Sequence, residues 1–135
     1  MIHVIMGLKG SGKTKKLIDA VNATAATAAG VVVCIEYGSK LTYDVKSTVR
    51  LVNSKEYGIS NSDMLKGFLS GLHAGNYDIT HVYIDNLYKT IGNDRAVGEE
   101  FILWCAEFAK VNDMEITVTV SDEAEKASEA VKAYL

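Results

Sequence analysis

The sequence predicts an α/β fold: a three-layer sandwich in which a mostly parallel sheet of about five strands carries helices on both faces. Three observations lead there. Short apolar runs alternate with amphipathic helical segments along the whole chain. The run Val31-Val32-Val33-Cys34-Ile35 is continuous and rich in β-branched residues, as in a strand covered on both faces of a parallel sheet. A glycine-rich stretch at 7–14 joins the first apolar run directly to the first helix. With 135 residues, 48% of them hydrophobic, residues 1–135 read as one domain able to bury a core without disulfide or metal staples.

Taken in order, Ile2 to Met6 is a strand. From Lys13 to about Ala29 the composition is helical: Leu17, Ile18 and Val21 recur at helical spacing, alanines fill the second half, and Gly30 is a natural stop. The strand at 31–35 completes a βαβ unit. The polar stretch 36–47, with Tyr37 and Tyr43, stands at the carboxyl end of that strand, where open parallel sheets bind ligands. It reads either as a lid or substrate loop or as an ordinary surface loop. Thr48 to Val52 is a short strand, and Ser60 or Asn61 caps a helix with Met64, Leu65, Phe68, Leu69 and Leu72 on one face. His81 to Asp85 is the next strand and 87–95 a loop. Val97, Phe101, Ile102, Trp104, Cys105, Phe108 and Ala109 then mark an amphipathic helix. Glu115 to Val120 alternates as a half-buried strand, and Ser121 or Asp122 caps a last helix from Glu123 to Tyr134.

Gly7-Leu8-Lys9-Gly10-Ser11-Gly12-Lys13-Thr14 fits G-x-x-x-x-G-K-[ST], the Walker A phosphate loop, in the strand-to-helix context the motif requires. Glycines at 7, 10 and 12 let the backbone curl its N–H groups around a polyphosphate, and the following helix adds unpaired N–H groups and the positive end of its dipole. Lys13 is expected to reach the β- and γ-phosphates and the Thr14 hydroxyl to ligate Mg²⁺. Asp85, closing an apolar strand, fits the Walker B carboxylate that holds Mg²⁺ through its water shell. The expected set is therefore Gly7 through Thr14 for nucleotide binding, Thr14 and Asp85 for the metal, and Lys13 and Asp85 for catalysis. ATP and Mg²⁺ are the expected cofactors. No guanine-reading N/T-K-x-D pattern occurs, which favours ATP over GTP.

The remaining composition narrows the classes. A net charge of -3 gives no global basic field to recommend nucleic acid or an anionic membrane as partner. No apolar run approaches the roughly 18 residues a membrane span needs, and no secretory signal is evident, so a cytoplasmic protein is expected. Cys34 and Cys105 lie in apolar stretches and read as buried small hydrophobes. His3, His73 and His81 are scattered and read as structural or solvated; Trp104 reads as core or interface; Arg95 reads as a solvated helix entry ahead of an arginine finger.

The order of strand, phosphate loop, helix, strand, tyrosine-bearing loop, helix, Ile-Asp strand, helix and strand resembles the P-loop nucleoside triphosphatase superfamily. Within it, Met6 to Thr14 followed by Leu17-Ile18 is similar to the opening of the type II thymidine kinase family, and the polar stretch Tyr37 to Tyr43 is similar to a loop found there. The likeness implies the P-loop fold. Two features depart from the thymidine kinases. Their acidic residue after the Walker B aspartate is Asn86 here, an amide that cannot accept a proton as a carboxylate does. Their zinc-binding C-terminal segment with cysteine pairs has no counterpart before Leu135. The resemblance thus implies a minimal ATP-binding domain of that build and not a thymidine kinase.

Three functions follow as expectations: a weak or partner-dependent Mg-ATPase lacking the Walker B glutamate; a nucleotide switch or non-hydrolysing interaction module, whose order near 37–47 and 87–95 is read by a protein partner or a second copy of the chain; and a small-molecule kinase of nucleoside type with Glu36 or Asp44 as base.

Overall fold

The computed structural model describes all 135 residues. Its centre is one five-stranded sheet, every neighbouring pair parallel, built from β1 (Ile2–Gly7), β2 (Val31–Glu36), β3 (Arg50–Asn53), β4 (Ile79–Ile84) and β5 (Glu115–Ser121). The order across the sheet is β1-β5-β4-β2-β3. Around it lie α1 (Lys13–Thr27), α2 (Ser62–Gly75), α3 (Leu87–Ile91), α4 (Arg95–Val111) and α5 (Glu129–Lys132).

Alternation along the strands sorts the core into two clusters. Val32 and Cys34 of β2 and Tyr83 of β4 pack with Leu17 and Val21 of α1. Val33 and Ile35, with Val82 and Ile84, pack on the other side with Leu65 and Leu69 of α2 and Phe101, Ile102 and Cys105 of α4. Successive strand side chains point to opposite faces, so the sheet is covered on both sides, as its apolar strands require. The chain leaves β1 through α1 on one face and enters β5 from α4 on the other. Crossovers that depart to opposite faces leave a crevice at the carboxyl ends of the strands.

Several expected boundaries move, each for a physical reason. α1 ends at Thr27, and Gly30 serves close approach rather than termination: a Cβ there would run into Thr80 and the Asp78 carbonyl. Asn61, not Ser60, caps α2, its Oδ1 accepting the Met64 N–H at 2.9 Å. The stretch expected as loop at 87–95 contains α3, anchored by buried Leu87, Thr90 and Ile91. The long last helix does not form. A single 3₁₀ turn (Ala124–Lys126) and one turn of α5 replace it, because Ser121 still belongs to β5 and the Asp122 carboxylate is taken by Arg95, Tyr88 and the Glu123 N–H. Ser128 caps α5 instead, accepting the Val131 N–H.

No helix is long and apolar enough to cross a membrane. Trp104 is half-buried and stacks on Phe108 at 4.8 Å between centroids, with Phe101 at 6.2 Å.

Candidate functional site

Because all five strands run the same way, Gly7, Glu36, Asp85 and Ser121 arrive at one edge of the sheet. β5 lies between β1 and β4, so the glycine loop after β1 faces Asp85 across the tip of β5. The loop is built as its composition demands. Gly10 and Gly12 sit at φ of 84° and 87°, in the left-handed region. A Cβ at Gly7 would run into the Ser11 hydroxyl, which would have to turn away. The Ser11 N–H donates to the Leu8 carbonyl at 3.1 Å and closes the turn.

α1 begins at Lys13 with no side-chain cap and no acidic residue in its first turn. Its amino-terminal N–H groups and dipole thus remain available to an anion. The Lys13 side chain folds back along the loop, Nζ donating to the Leu8 carbonyl at 3.0 Å, and the residue is only 8% exposed. Burial lowers its pKa and the Asp85 charge opposes that shift. A desolvated ammonium beside the uncapped amino terminus of α1 is arranged to receive negative charge.

Asp85 is held from both sides. Its Oδ1 accepts the Thr14 hydroxyl at 3.3 Å and the Thr119 hydroxyl at 3.1 Å, and its N–H donates to the Ile35 carbonyl at 2.9 Å. Thr14 and Asp85, the expected metal pair, therefore stand together although 71 residues separate them. Mg²⁺ is a hard cation that takes one or two carboxylates, hydroxyls, waters and phosphate oxygens, and this donor set fits it. The chain gathers no group of three or more His, Cys, Asp or Glu side chains at a point, a cage that Mg²⁺ beside a polyphosphate does not need.

Two adjoining cavities open here. The larger, about 750 Å³, is lined by the glycine loop on one side and by Asn86, Tyr88, Lys89, Asn93, Thr119 and Ser121 on the other. The smaller, about 150 Å³, holds Asp85 and Glu36 with Tyr37, Lys40 and Leu41. Thr14, Asn86 and Lys89 line both.

Three contributors were not singled out as site residues by the motifs. Thr119 joins Asp85 to the next residue, accepting the Asn86 N–H at 2.7 Å; alternation placed it in a half-buried strand and nothing marked it further. Lys89 projects from the short helix hidden in an expected loop. The buried Glu36 enters the sequence reading only as a kinase base. Its two carboxylate oxygens accept the Lys40 and Leu41 N–H groups at 2.8 and 3.1 Å, clamping the start of the tyrosine-bearing loop. That loop is further tied down by buried Leu41 and Val45 and by Asn22, which bonds the Asp44 carbonyl and the Lys46 N–H. Asp44 lines neither cavity.

Arg95 also lies outside both cavities. As the first residue of α4 it pairs with Asp122 through Nε and Nη2, both at 2.8 Å, while Tyr88 donates its hydroxyl to the same carboxylate at 2.8 Å. The Arg95 guanidinium holds Asp122 well below the usual carboxylate range, and burial followed by the Asp122 bond pushes Tyr88 up to about 12. His3 pairs with Glu115, His81 bonds Thr80, and His73 packs on Tyr77 and Phe108, all away from the cavities described above. Both cysteines are buried, and burial raises both thiol pKa values, Cys34 to about 12.

The sequence matches no protein-family model and no curated protein.

Proposed function

We propose that this chain is an ATP-binding protein of P-loop build, a weak or partner-dependent Mg-ATPase or nucleotide switch. The observation that supports it is the meeting of Thr14 and Asp85 at 3.3 Å beside a glycine loop that presents Lys13 and the free N–H groups of α1. Polyphosphate would lie along Gly7 to Thr14, with Lys13 stabilising charge on its terminal oxygens. Mg²⁺, held by Thr14 and Asp85, supplies charge neutralisation on the phosphate oxygens when bound. The chain's own part is positioning. Thr119 fixes Asp85 and the backbone of Asn86, and Asn86 makes no side-chain cap bond with α3, which leaves its amide to orient a water and not to deprotonate it.

A second reading is favoured by one observation. Glu36 places a carboxylate in the smaller cavity beside Thr14 and Asp85, where a base for a small-molecule acceptor belongs, so a kinase is the alternative. A non-hydrolysing module read by a protein partner or a second copy shares the same nucleotide site.

Calorimetry with ATP, ADP and GTP in Mg²⁺, followed by phosphate release with and without acceptors, separates these. Tight ATP binding with slow release is expected, and Asn86→Glu is expected to raise the rate, since a positioned base contributes about 10²- to 10⁴-fold. Brisk hydrolysis by the wild type would overturn the weak-ATPase reading, and absence of nucleotide binding would overturn the whole.

A further inference from the structure

We infer that Lys89 is the residue that distinguishes a nucleoside triphosphate from a diphosphate in this cleft. The inference rests on the phosphate-loop reading above and assigns a role to a residue outside the motif.

Asn86 sits at φ 52°, ψ 72°, a left-handed kink immediately after Asp85 that turns the chain into a helix of five residues ending at Gly92. Leu87, Thr90 and Ile91 occupy the i, i+3 and i+4 positions and are buried, with Thr90 hydrogen-bonded to Ser54 at 3.0 Å. That leaves positions 88 and 89 for the cleft side. Tyr88 is pinned by its hydroxyl to Asp122. Lys89 is exposed and has no carboxylate partner; Lys9, Lys13 and Lys40, the other lysines of the two cavities without such a partner, each line only one of them, and Arg95 is locked in its bidentate pair.

Lys89 lines both cavities, and the only residues that share this property are Thr14 and Asn86. A phosphate chain lying along the glycine loop toward Thr14 and Asp85 brings its last phosphate to that junction. The diphosphate portion would remain over the loop and the α1 amino terminus, on the wall of the larger cavity opposite Lys89. The two carboxylates nearby do not compete for the lysine. Neither Asp85 nor Glu36 forms an ion pair with it, Asp85 Oδ1 being bonded to the Thr14 and Thr119 hydroxyls and the Glu36 oxygens to the Lys40 and Leu41 N–H groups. An ammonium on a long flexible stem can reach a terminal phosphoryl group and make charge-assisted hydrogen bonds to it. The same group would stabilise charge as the terminal phosphoryl is transferred to water: the water oxygen would bond to the γ-phosphorus and give up a proton to an oxygen of the transferred phosphoryl group, the bond to the β,γ-bridging oxygen would break, and the diphosphate would leave with that electron pair.

The test is calorimetry of the full chain with Mg²⁺ and either the β,γ-imido analogue of ATP or ADP. The wild type is expected to bind the triphosphate analogue more tightly. Lys89→Gln is expected to weaken the analogue at least about tenfold while leaving ADP within about twofold, and Lys89→Arg to restore most of the difference. Retained ADP binding shows that the variant is folded. Equal weakening of both ligands, or of neither, overturns the role of Lys89 with the phosphate-loop reading intact. A wild type that binds neither nucleotide overturns that reading, and this inference with it.

Discussion

The two walls of the cleft are built by different means. One, Gly7 to Thr14, is made by local backbone conformation: positive φ at Gly10 and Gly12, a turn closed by Ser11 on Leu8, and a helix start with no side-chain cap. The other, Asn86 to Gly92, is made by side chains from elsewhere. Thr119 of β5 holds Asn86, Ser54 holds Thr90, and Asp122 holds Tyr88. A wall made of backbone tolerates loss of its functional side chain, whereas a wall made of tertiary bonds loses position when a partner is removed.

That difference sets the expected mutant effects. Lys13→Ala should give the largest, a loss of ATP affinity of at least about tenfold by calorimetry, because charge-assisted bonds to phosphate are worth about 1.5 to 3 kcal/mol. Its denaturation midpoint should not fall, since the lysine supports no other element than its own loop. A clear drop in stability would erase the contrast between the walls.

Thr119→Val works on the opposite wall. It removes the acceptor of the Asn86 N–H and a donor to Asp85, and an unpaired buried group costs about 1 to 3 kcal/mol. Urea denaturation should show that loss in the absence of nucleotide. Unchanged stability would mean that α3 is held by its apolar anchors alone.

Tyr88→Phe should be the mildest, about 1 kcal/mol for one hydrogen bond. Its signature lies in pH. The folded pKa of Tyr88 is raised from 10.0 to about 12, so the stability it contributes is fully present below about pH 10 and is lost as pH rises toward 12. Wild type and Tyr88→Phe should therefore converge in thermal melts through that window, and a constant gap across it would count against a hydroxyl kept neutral by burial and by the Asp122 bond.

The same contrast explains what the sequence reveals. The glycine loop is legible because its geometry depends on residue types lying next to one another, and Asp85 is legible because an apolar strand ends on it. The parallel sheet is legible from β-branched runs such as 31–35. α3 is not, since five residues give too short a periodic signal and its anchoring depends on Ser54 and Thr119, distant in sequence. The expected last helix fails for a related reason. Asp122 looks like a cap by residue type, and only the fold shows that Arg95 and Tyr88 have claimed its carboxylate.

The two cysteines lie on opposite sides of the sheet, Cys34 in the layer beneath α1 and Cys105 in the layer beneath α4. Both are fully enclosed and both are kept as thiols at neutral pH. A thiol reagent added to the native chain would thus record separate clocks for the opening of each layer. Whether the two labelling rates coincide would tell whether the sandwich comes apart in one event or peels from one side first.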